Sequence, residues 1–352
     1  MDRNLSHNDC NLAETFDSNA SFSAPMTDLS IIIINWKSVR YLSKCLEGFY
    51  KDQKDLTFEI IVIDNASYDG CQEMLAQYYP QVKFIQSPVN LGFARANNFA
   101  FRQSRGRTLL FLNPDTEIIG QSIQIMHHFL WEIANAGAIG CMLLNTDHTI
   151  QASCIQEFPT ILNQTVDSEI ARRFFPSLSI WGTRPFRDQI ESPICVQVVS
   201  GACLMVKRNV FESVGQFSDD YFMYSEDTDL CFKINTAGFK IYYTGAASAV
   251  HHGGGSSKQR DSKHFADVVM VESIFRFLQK FRGKLYGYIY RFAMACVALL
   301  RVGLISSLIA PMPKCSAREK LKVSLGKWVK IFRWSLGLEK WASSLNHETV
   351  SR

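Results

Sequence analysis

Four short apolar runs, separated by stretches of helical character, set the main constraint on how this chain can fold. Leu29 to Ile34 (LSIIII) is β-branched and unbroken, the composition of a strand buried on both faces. Phe58 to Ile63 (FEIIVI) repeats the pattern and runs into Asp64-Asn65. Val82 to Ile85 is shorter, and Thr108 to Leu112 closes on Asn113-Pro114-Asp115. Residues 38–54, 69–79 and 92–105 between these runs have helical patterning. A β-α-β-α-β-α-β order implies a mostly parallel sheet with right-handed crossovers. Ligands of such sheets lie beyond the carboxyl ends of the strands. Asn35, Asp64, Asn113 and Asp115 all fall at such ends, so one crevice can collect them.

The rest of the chain continues in the same vein. A helix is expected over 119–136, strands around 138–144 and 148–155, and a long loop or lid over 157–193, where Pro159, Pro176, Pro185 and Pro193 fall. Val196 to Val206 reads as a strand interrupted at Ser200-Gly201, followed by a short helix over 207–214. The stretch FMYSEDTD, 222–229, opens a helix to about residue 237, and Phe239 to Tyr243 is a strand leading toward His251-His252-Gly253-Gly254-Gly255.

Composition excludes several classes. With 47% hydrophobic and 20% charged residues the 352-residue chain is ordinary globular material, enough for one large α/β domain with an appendage. Its ten cysteines are scattered without a CxxC pair, which points to a reducing compartment and away from a zinc site or a disulfide scaffold. Residues 1–28 are polar and mixed in charge with no apolar h-region, and are expected to be a disordered arm rather than a secretory signal.

Two motifs carry chemistry on their own terms. Asn113-Pro114-Asp115 holds two oxygen-bearing side chains at i and i+2 across a rigid residue; it can be a turn, or a clamp on a divalent cation. Glu226, Asp227 and Asp229 crowd the start of a helix; they can complement its dipole, or they can hold a general base.

The order of these elements resembles the inverting family-2 glycosyltransferases of GT-A fold, especially their rhamnosyltransferase-like branch. The matching stretches are IIIINW at 31–36, VIDNASYDG at 62–70, NLGFARANN at 90–98, FLNPDTEI at 111–118, VSGACLMVKR at 199–208, FMYSEDTDLC at 222–231 and AVHHGGGSS at 249–257. The resemblance implies a nucleoside-diphosphate-sugar donor, with its base flanked by Ile34, Asn35, Asp64 and Asn65. Asp64 would accept the imide N–H of a pyrimidine, although an Asx-turn within Asp-Asn-Ala-Ser explains the residue equally well. It also implies that Asn90, Arg95 and Asn98 stand near sugar or diphosphate oxygens, while Arg95 by itself reads as an exposed helical arginine. Asn113-Pro114-Asp115 is then the metal element in NPD form. Asp115 and His251 would be the ligands of Mn²⁺ or Mg²⁺, Asn113 would contact the sugar or bind through water, and the glycines after His252 would let backbone approach phosphate. Asp227 would be the base, with Glu226 and Asp229 orienting base or acceptor. Departures from the family pattern fall on the acceptor side: Phe217-Ser218-Asp219 replaces Phe-Asp-Glu, Lys233 stands where an Arg is usual, and a Pro is missing near Gly245.

The net charge of +4 conceals an asymmetry. Residues 276–341 hold 14 Lys/Arg against 2 Asp/Glu, and the remainder 23 against 31. Residues 267–282 extend the body as a helix; Leu285 to Ala310 is apolar but interrupted by Arg291 and Arg301; residues 317–336 place Leu321, Leu325, Trp328, Phe332 and Leu336 on one face. Such a basic, Trp-bearing helix suits an anionic membrane surface, or it packs on the body or on a second subunit. No recognition motif for nucleic acid accompanies the charge. The expected organisation is an arm over 1–28, a GT-A domain over 29–282, and a basic helical tail over 283–352. The expected activity is inverting transfer of a hexose or deoxyhexose, L-rhamnose from dTDP-rhamnose foremost, to a saccharide or lipid-linked glycan acceptor, by a cytoplasmic enzyme peripheral on the inner face of the membrane. The alternatives are a non-catalytic sugar-nucleotide or glycan-binding module, against which Asp115, Asp227 and His251 together speak, and a nucleotidyltransferase, whose Gly-rich, Lys-containing phosphate loop is missing near the first strand.

Overall fold

A computed structural model describes residues 27–52, 56–166, 175, 180–183, 191–253 and 264–345. The expected arm up to Met26, about half of the 157–193 loop, and Gly254 and Gly255 lie outside the described residues. The β-α alternation is present as β1 (Leu29–Asn35), α1 (Val39–Asp52), β2 (Phe58–Asn65), α2 (Cys71–Tyr78), β3 (Lys83–Ser87), α3 (Gly92–Phe101) and β4 (Thr108–Leu112). These strands lie in the spatial order β3-β2-β1-β4 and pair in parallel. Every residue of β1 and β4 is buried, as their unbroken apolar runs require in a sheet covered on both faces.

Beyond β4 the sheet becomes mixed. The chain forms β5 (Thr116–Ile119), α4 (Ser122–Glu132), β6 (Ala136–Leu144), β7 (Ile155–Gln156) and α5 (Ile161–Thr165), then β8 (Ile194–Val196), β9 (Val198–Val199), β10 (Cys203–Lys207), α6 (Arg208–Ser213), α7 (Glu226–Thr236) and β11 (Lys240–His251). β10 inserts antiparallel between β4 and β6, and β6 pairs in parallel with β11. The expected strand near 148–155 reduces to an isolated bridge at Ile150 and the short β7, which pairs with β9 in a separate ribbon. The expected strand Val196 to Val206 breaks into three pieces.

Two differences from the sequence reading matter for the site. β11 continues past Tyr243 to His251, shifting register between Thr244 and Ser248, and β5 precedes the helix that was expected to start at residue 119. The two strands pair antiparallel, with His251 opposite Thr116 and Ser248 opposite Ile119. This ladder places the end of the His-bearing strand beside the NPD turn.

The C-terminal third is helical: α8 (Phe265–Arg282), α9 (Lys284–Ile309), α10 (Ser316–Ser335) and α11 (Trp341–Ser344). α8 to α11 share a second hydrophobic cluster that includes Val268, Phe277, Tyr290, Met294, Ile331 and Trp334. Trp328 and Phe332, from the stripe expected on α10, pack against this cluster. Arg291 and Arg301 do not interrupt α9, which by length and composition could cross a membrane.

Candidate active site

A cavity of about 510 Å³ opens at the carboxyl ends of the parallel strands. Ile34, Asn65, Asn90, Asn113, Asp115, Gly201, Glu226, Asp227 and His251 are among its lining residues. α8 adds an apolar wall through Met270 and Ile274.

On one side stand Asn113, Asp115 and His251. The β5–β11 ladder is extended by the His252 N–H, which donates to the Asp115 carbonyl at 2.9 Å. His251 Nε2 lies 3.4 Å from Asp115 Oδ1 and 3.4 Å from Asn113 Nδ2. The other ring nitrogen, Nδ1, is 3.0 Å from Gln151 Oε1, and Gln151 Nε2 donates to the His251 carbonyl at 2.6 Å. With the amide so assigned, Nδ1 carries the proton and Nε2 turns a lone pair toward Asp115. A lone pair and a carboxylate oxygen facing each other across 3.4 Å suit a cation between them. Among the described residues no group of three or more His, Cys, Asp and Glu could hold a metal ion. Asp115 and His251 thus supply two metal-suited groups, one oxygen and one nitrogen. His252 turns away from this pair, Nε2 lying 2.7 Å from Glu117 Oε1.

The same cavity is lined by two acids of α7, Glu226 and Asp227. Asp227 Oδ2 accepts the Gly201 N–H at 2.9 Å, and Oδ1 accepts the Thr228 N–H at 2.7 Å. Burial raises its pKa above the usual carboxylate range, and these backbone donors oppose the rise. Glu226 is also buried, and its Oε2 has no hydrogen-bond partner among the described residues. Burial, and then the neighbouring charge of Asp227, push its pKa up to about 8. Asp229 does not reach the cavity. It is fully buried and takes Ser218 Oγ at 2.6 Å, Tyr221 OH at 3.1 Å, Lys233 Nζ at 3.2 Å and Lys280 Nζ at 2.9 Å. The loop entering α7 is held in an uncommon shape: Tyr224 and Ser225 have φ of 70° and 63°. It is pinned from two directions, by the Phe93 N–H on the Phe222 carbonyl (2.9 Å) and by Ser273 Oγ on the Met223 carbonyl (2.9 Å).

The remaining sequence candidates divide. Asn65 and Asn90 line the cavity while bracing the start of α3: Asn65 Nδ2 donates to Asn90 Oδ1 (3.0 Å), and the Leu91 and Gly92 N–H groups donate to Asn65 Oδ1 (2.8 Å) and Asn90 Oδ1 (3.0 Å). Asn35 donates to Asp64, Ser67 and Asp69. Asp64 is buried off the cavity wall. Its carboxylate accepts the N–H groups of Ser67 (3.1 Å) and Tyr68 (2.9 Å), Gln86 Nε2 (2.8 Å), Asn35 Nδ2 (2.8 Å) and the Ser67 hydroxyl, the local turn set out above as the alternative. Asn98 is turned to the 217–219 loop, exchanging bonds with Phe217, and Arg95 Nη2 lies 3.5 Å from the Asp219 carbonyl. Neither lines the cavity. Sequence reasoning missed Gln151 and Gly201 as partners of the site. Each meets its histidine or aspartate through a long-range contact that no local pattern signals.

The chain has relatives of known class. The model of the family described as Glycosyl transferase family 2 matches residues 30–215. The chain belongs to this family. A second model, Glycosyl transferase family group 2, matches residues 141–338. N-acetylglucosaminyl-diphospho-decaprenol L-rhamnosyltransferase of Mycobacterium tuberculosis is 28% identical over 254 residues, 68% of this chain and 81% of that protein. Rhamnosyltransferase WbbL of Escherichia coli is 27% identical over 259 residues, 72% of this chain and 93% of its own length. Among solved structures, the mannosyltransferase PcManGT from Pyrobaculum calidifontis, in complex with GDP-Man and Mn²⁺, superposes with a TM-score of 0.52 at 14% identity over 93% of this chain and 88% of that one. GalNAc-T7 with UDP, GalNAc and Mn²⁺ gives a TM-score of 0.53 at 13% identity, covering 94% of this chain and 58% of that one. These superpositions establish the GT-A fold: a mixed, mostly parallel sheet flanked by helices.

Proposed function

We propose that this glycosyltransferase transfers a deoxyhexose, L-rhamnose from dTDP-rhamnose foremost, with inversion to a saccharide on a lipid-linked acceptor in the synthesis of a cell-surface polysaccharide. It would work at the cytoplasmic face of the membrane. The observation that carries the reading is one cavity lined by Asp115, His251 and Asp227 together, with His251 Nε2 3.4 Å from Asp115 Oδ1. The rhamnosyltransferase names of the two relatives support the donor, and the diphospho-decaprenol acceptor of the mycobacterial relative supports a lipid-linked one.

Asp115 and His251 would hold Mn²⁺ or Mg²⁺ against the donor diphosphate. The cation, when bound, neutralises charge growing on the leaving group. Asp227, fixed by Gly201 and Thr228, takes the proton of the attacking acceptor hydroxyl. The bond from the anomeric carbon to phosphate oxygen breaks as the bond to the acceptor oxygen forms on the opposite face. Glu226 beside it supplies a second oxygen pair to orient the acceptor.

The test is calorimetric titration with dTDP-rhamnose, UDP-hexoses and GDP-mannose, each with Mn²⁺, with Mg²⁺ and with chelator. NMR of the product anomer follows. Tight binding of dTDP-rhamnose only with cation, and an inverted product, are expected. Preference for another donor overturns the rhamnose reading; cation-independent binding overturns the role of Asp115 and His251; a retained anomer overturns inversion.

A further inference from the structure

α9 has two apolar faces, and the described residues cover only one of them. Gly287, Tyr290, Met294 and Ala298 are buried against the neighbouring helices. On the outward side Leu285 is 74% exposed, Phe292 71%, Leu300 67% and Leu304 64%, with Leu299 and Leu308 also exposed. These residues follow one another along the outward side over about 35 Å, at 1.5 Å rise per residue. On a helix facing water that stripe would carry charge. Of the three charges on α9, Lys284 stands exposed at its first residue, and the two inside the helix are drawn off the stripe. Arg291 donates to the carbonyls of Trp334 (2.6 Å) and Ser335 (3.2 Å), and Arg301 lies 4.2 Å over the Trp328 ring.

We propose that this stripe docks the protein on an anionic phospholipid bilayer, with α9 lying in the plane of the interface. Helix length alone would also allow α9 to span, but its inner face is packed lengthwise on α8 and α10, and those helices carry Lys280, Lys320, Lys322, Lys327 and Lys330. Spanning would take these charges into hydrocarbon; lying flat leaves them at the headgroups. Charge complementarity selects the partner. Residues 276–341 carry 14 basic and 2 acidic side chains, and Lys314, Lys320, Lys322 and Lys340 are exposed. The lipid-contacting face is thus on α9, whereas the α10 stripe read from the sequence sends Trp328 and Phe332 into the helical cluster.

The docking helix α9 packs on α8, which lines the cavity. Met270 and Ile274 of α8 line the cavity, and Phe275 of α8 meets Tyr288 of α9 edge-on at 5.8 Å. Docking therefore holds the Asp227 wall close to the lipid surface, which gives a lipid-linked acceptor a short path; this consequence rests on the proposed function, whereas the docking itself does not.

The experiment is flotation of the full-length protein with phosphatidylcholine vesicles, with and without phosphatidylglycerol. No substrate is needed, so its outcome is separate from that of the donor titrations. Wild type is expected to float with the anionic vesicles, and Leu300→Asp/Leu304→Asp to lose binding by about tenfold or more at unchanged melting temperature. In a second measurement, Phe292→Trp should shift its emission to the blue on anionic vesicles and be quenched by brominated lipid. Equal flotation of wild type and the double Asp variant overturns the proposal, as does Phe292→Trp emission unmoved by vesicles. A wild-type dimer in sedimentation that the double Asp variant dissociates, without vesicle binding by either, assigns the stripe to a second copy of the chain instead.

Discussion

Glu226 and Asp227 are neighbours in sequence, share one cavity, and are buried in the same helix turn, and burial pushes both carboxyls up. Two backbone N–H groups oppose the rise at Asp227, whereas Glu226 Oε2 has no donor among the described residues and its pKa rises to about 8. The surroundings thus favour the anion at Asp227 over the anion at Glu226. Asp227→Asn should therefore lower kcat by roughly 10²–10⁴-fold with donor affinity near wild type, the cost of losing a general base; donor titration beside steady-state kinetics checks it, and a variant that retains its turnover would place the base elsewhere. Glu226→Gln keeps the neutral shape and should retain most activity. Its stability effect has a definite sign. A carboxyl raised above its unfolded value contributes stability that is fully present below about pH 4.5 and is lost as pH rises toward 8. Glu226→Gln should thus be more stable than wild type at pH 8 and similar at pH 5, read from urea melts at the two pH values. Gln151→Leu removes the acceptor that orients His251 and should weaken Mn²⁺ binding about 10–100-fold, measured by titration of the metal alone. Asp115 and His251 stood out in the sequence because each follows an apolar strand, and Asp227 because three acids crowd one helix start; their roles belong to the proposed function. Asp64 shows the opposite: its residue type admitted base and turn alike, and its hydrogen bonds satisfy the turn.

At the scale of elements, the parallel half of the fold was legible because its strands are buried on both faces and read as continuous apolar runs. β5 was not. Four residues carry little periodicity, and Thr116–Ile119 is a strand because β11 lies beside it. The same holds for the outer half of β11, whose Thr-Gly-Ala-Ala-Ser sequence has weak strand character by itself. The junction of α3 with the acid-bearing loop depends on close backbone approach. Gly92 has φ of 75°, and a Cβ there would stand 2.5 Å from the Phe222 carbonyl oxygen. Gly92→Ala should push α3 from that loop, break the Phe93–Phe222 bond, and lower stability by about 1–3 kcal/mol. Activity should fall more than donor affinity, since the displaced loop leads into Glu226 and Asp227. Chemical denaturation and a kcat-against-KM comparison test both parts.

The whole molecule joins two hydrophobic clusters, and α8 belongs to the junction. On the catalytic side Lys280 reaches the buried Asp229 of α7 at 2.9 Å, and Phe281 packs on Phe232 with ring centroids 4.3 Å apart. On the other side, Glu272 of α8 accepts the Trp334 indole N–H of α10 at 2.8 Å, and Phe275 meets the Trp334 ring. The sequence suggested a body ending at residue 282 with a basic tail beyond it, because charge composition changes there; composition does not reveal that Tyr290, Met294, Ile331 and Trp334 complete a core begun by Val268, Val271 and Phe275. A chain ending at Arg282 would expose that side of α8 and leave Glu272 without its indole donor. Because α8 also holds Asp229 and the Met223 carbonyl, loosening it should reach the loop before Glu226. The full-length protein is expected to melt in one cooperative transition, and the 1–282 protein to melt at least about 5 °C lower and to lose activity toward a lipid-free acceptor as well as a lipid-linked one. Calorimetry and assays on both acceptors decide between the two organisations. If 1–282 keeps the full-length melting temperature and its turnover on the lipid-free acceptor, residues 283–352 are a detachable appendage that acts only in membrane docking; if both fall, the tail helices are part of what holds Asp227 in place.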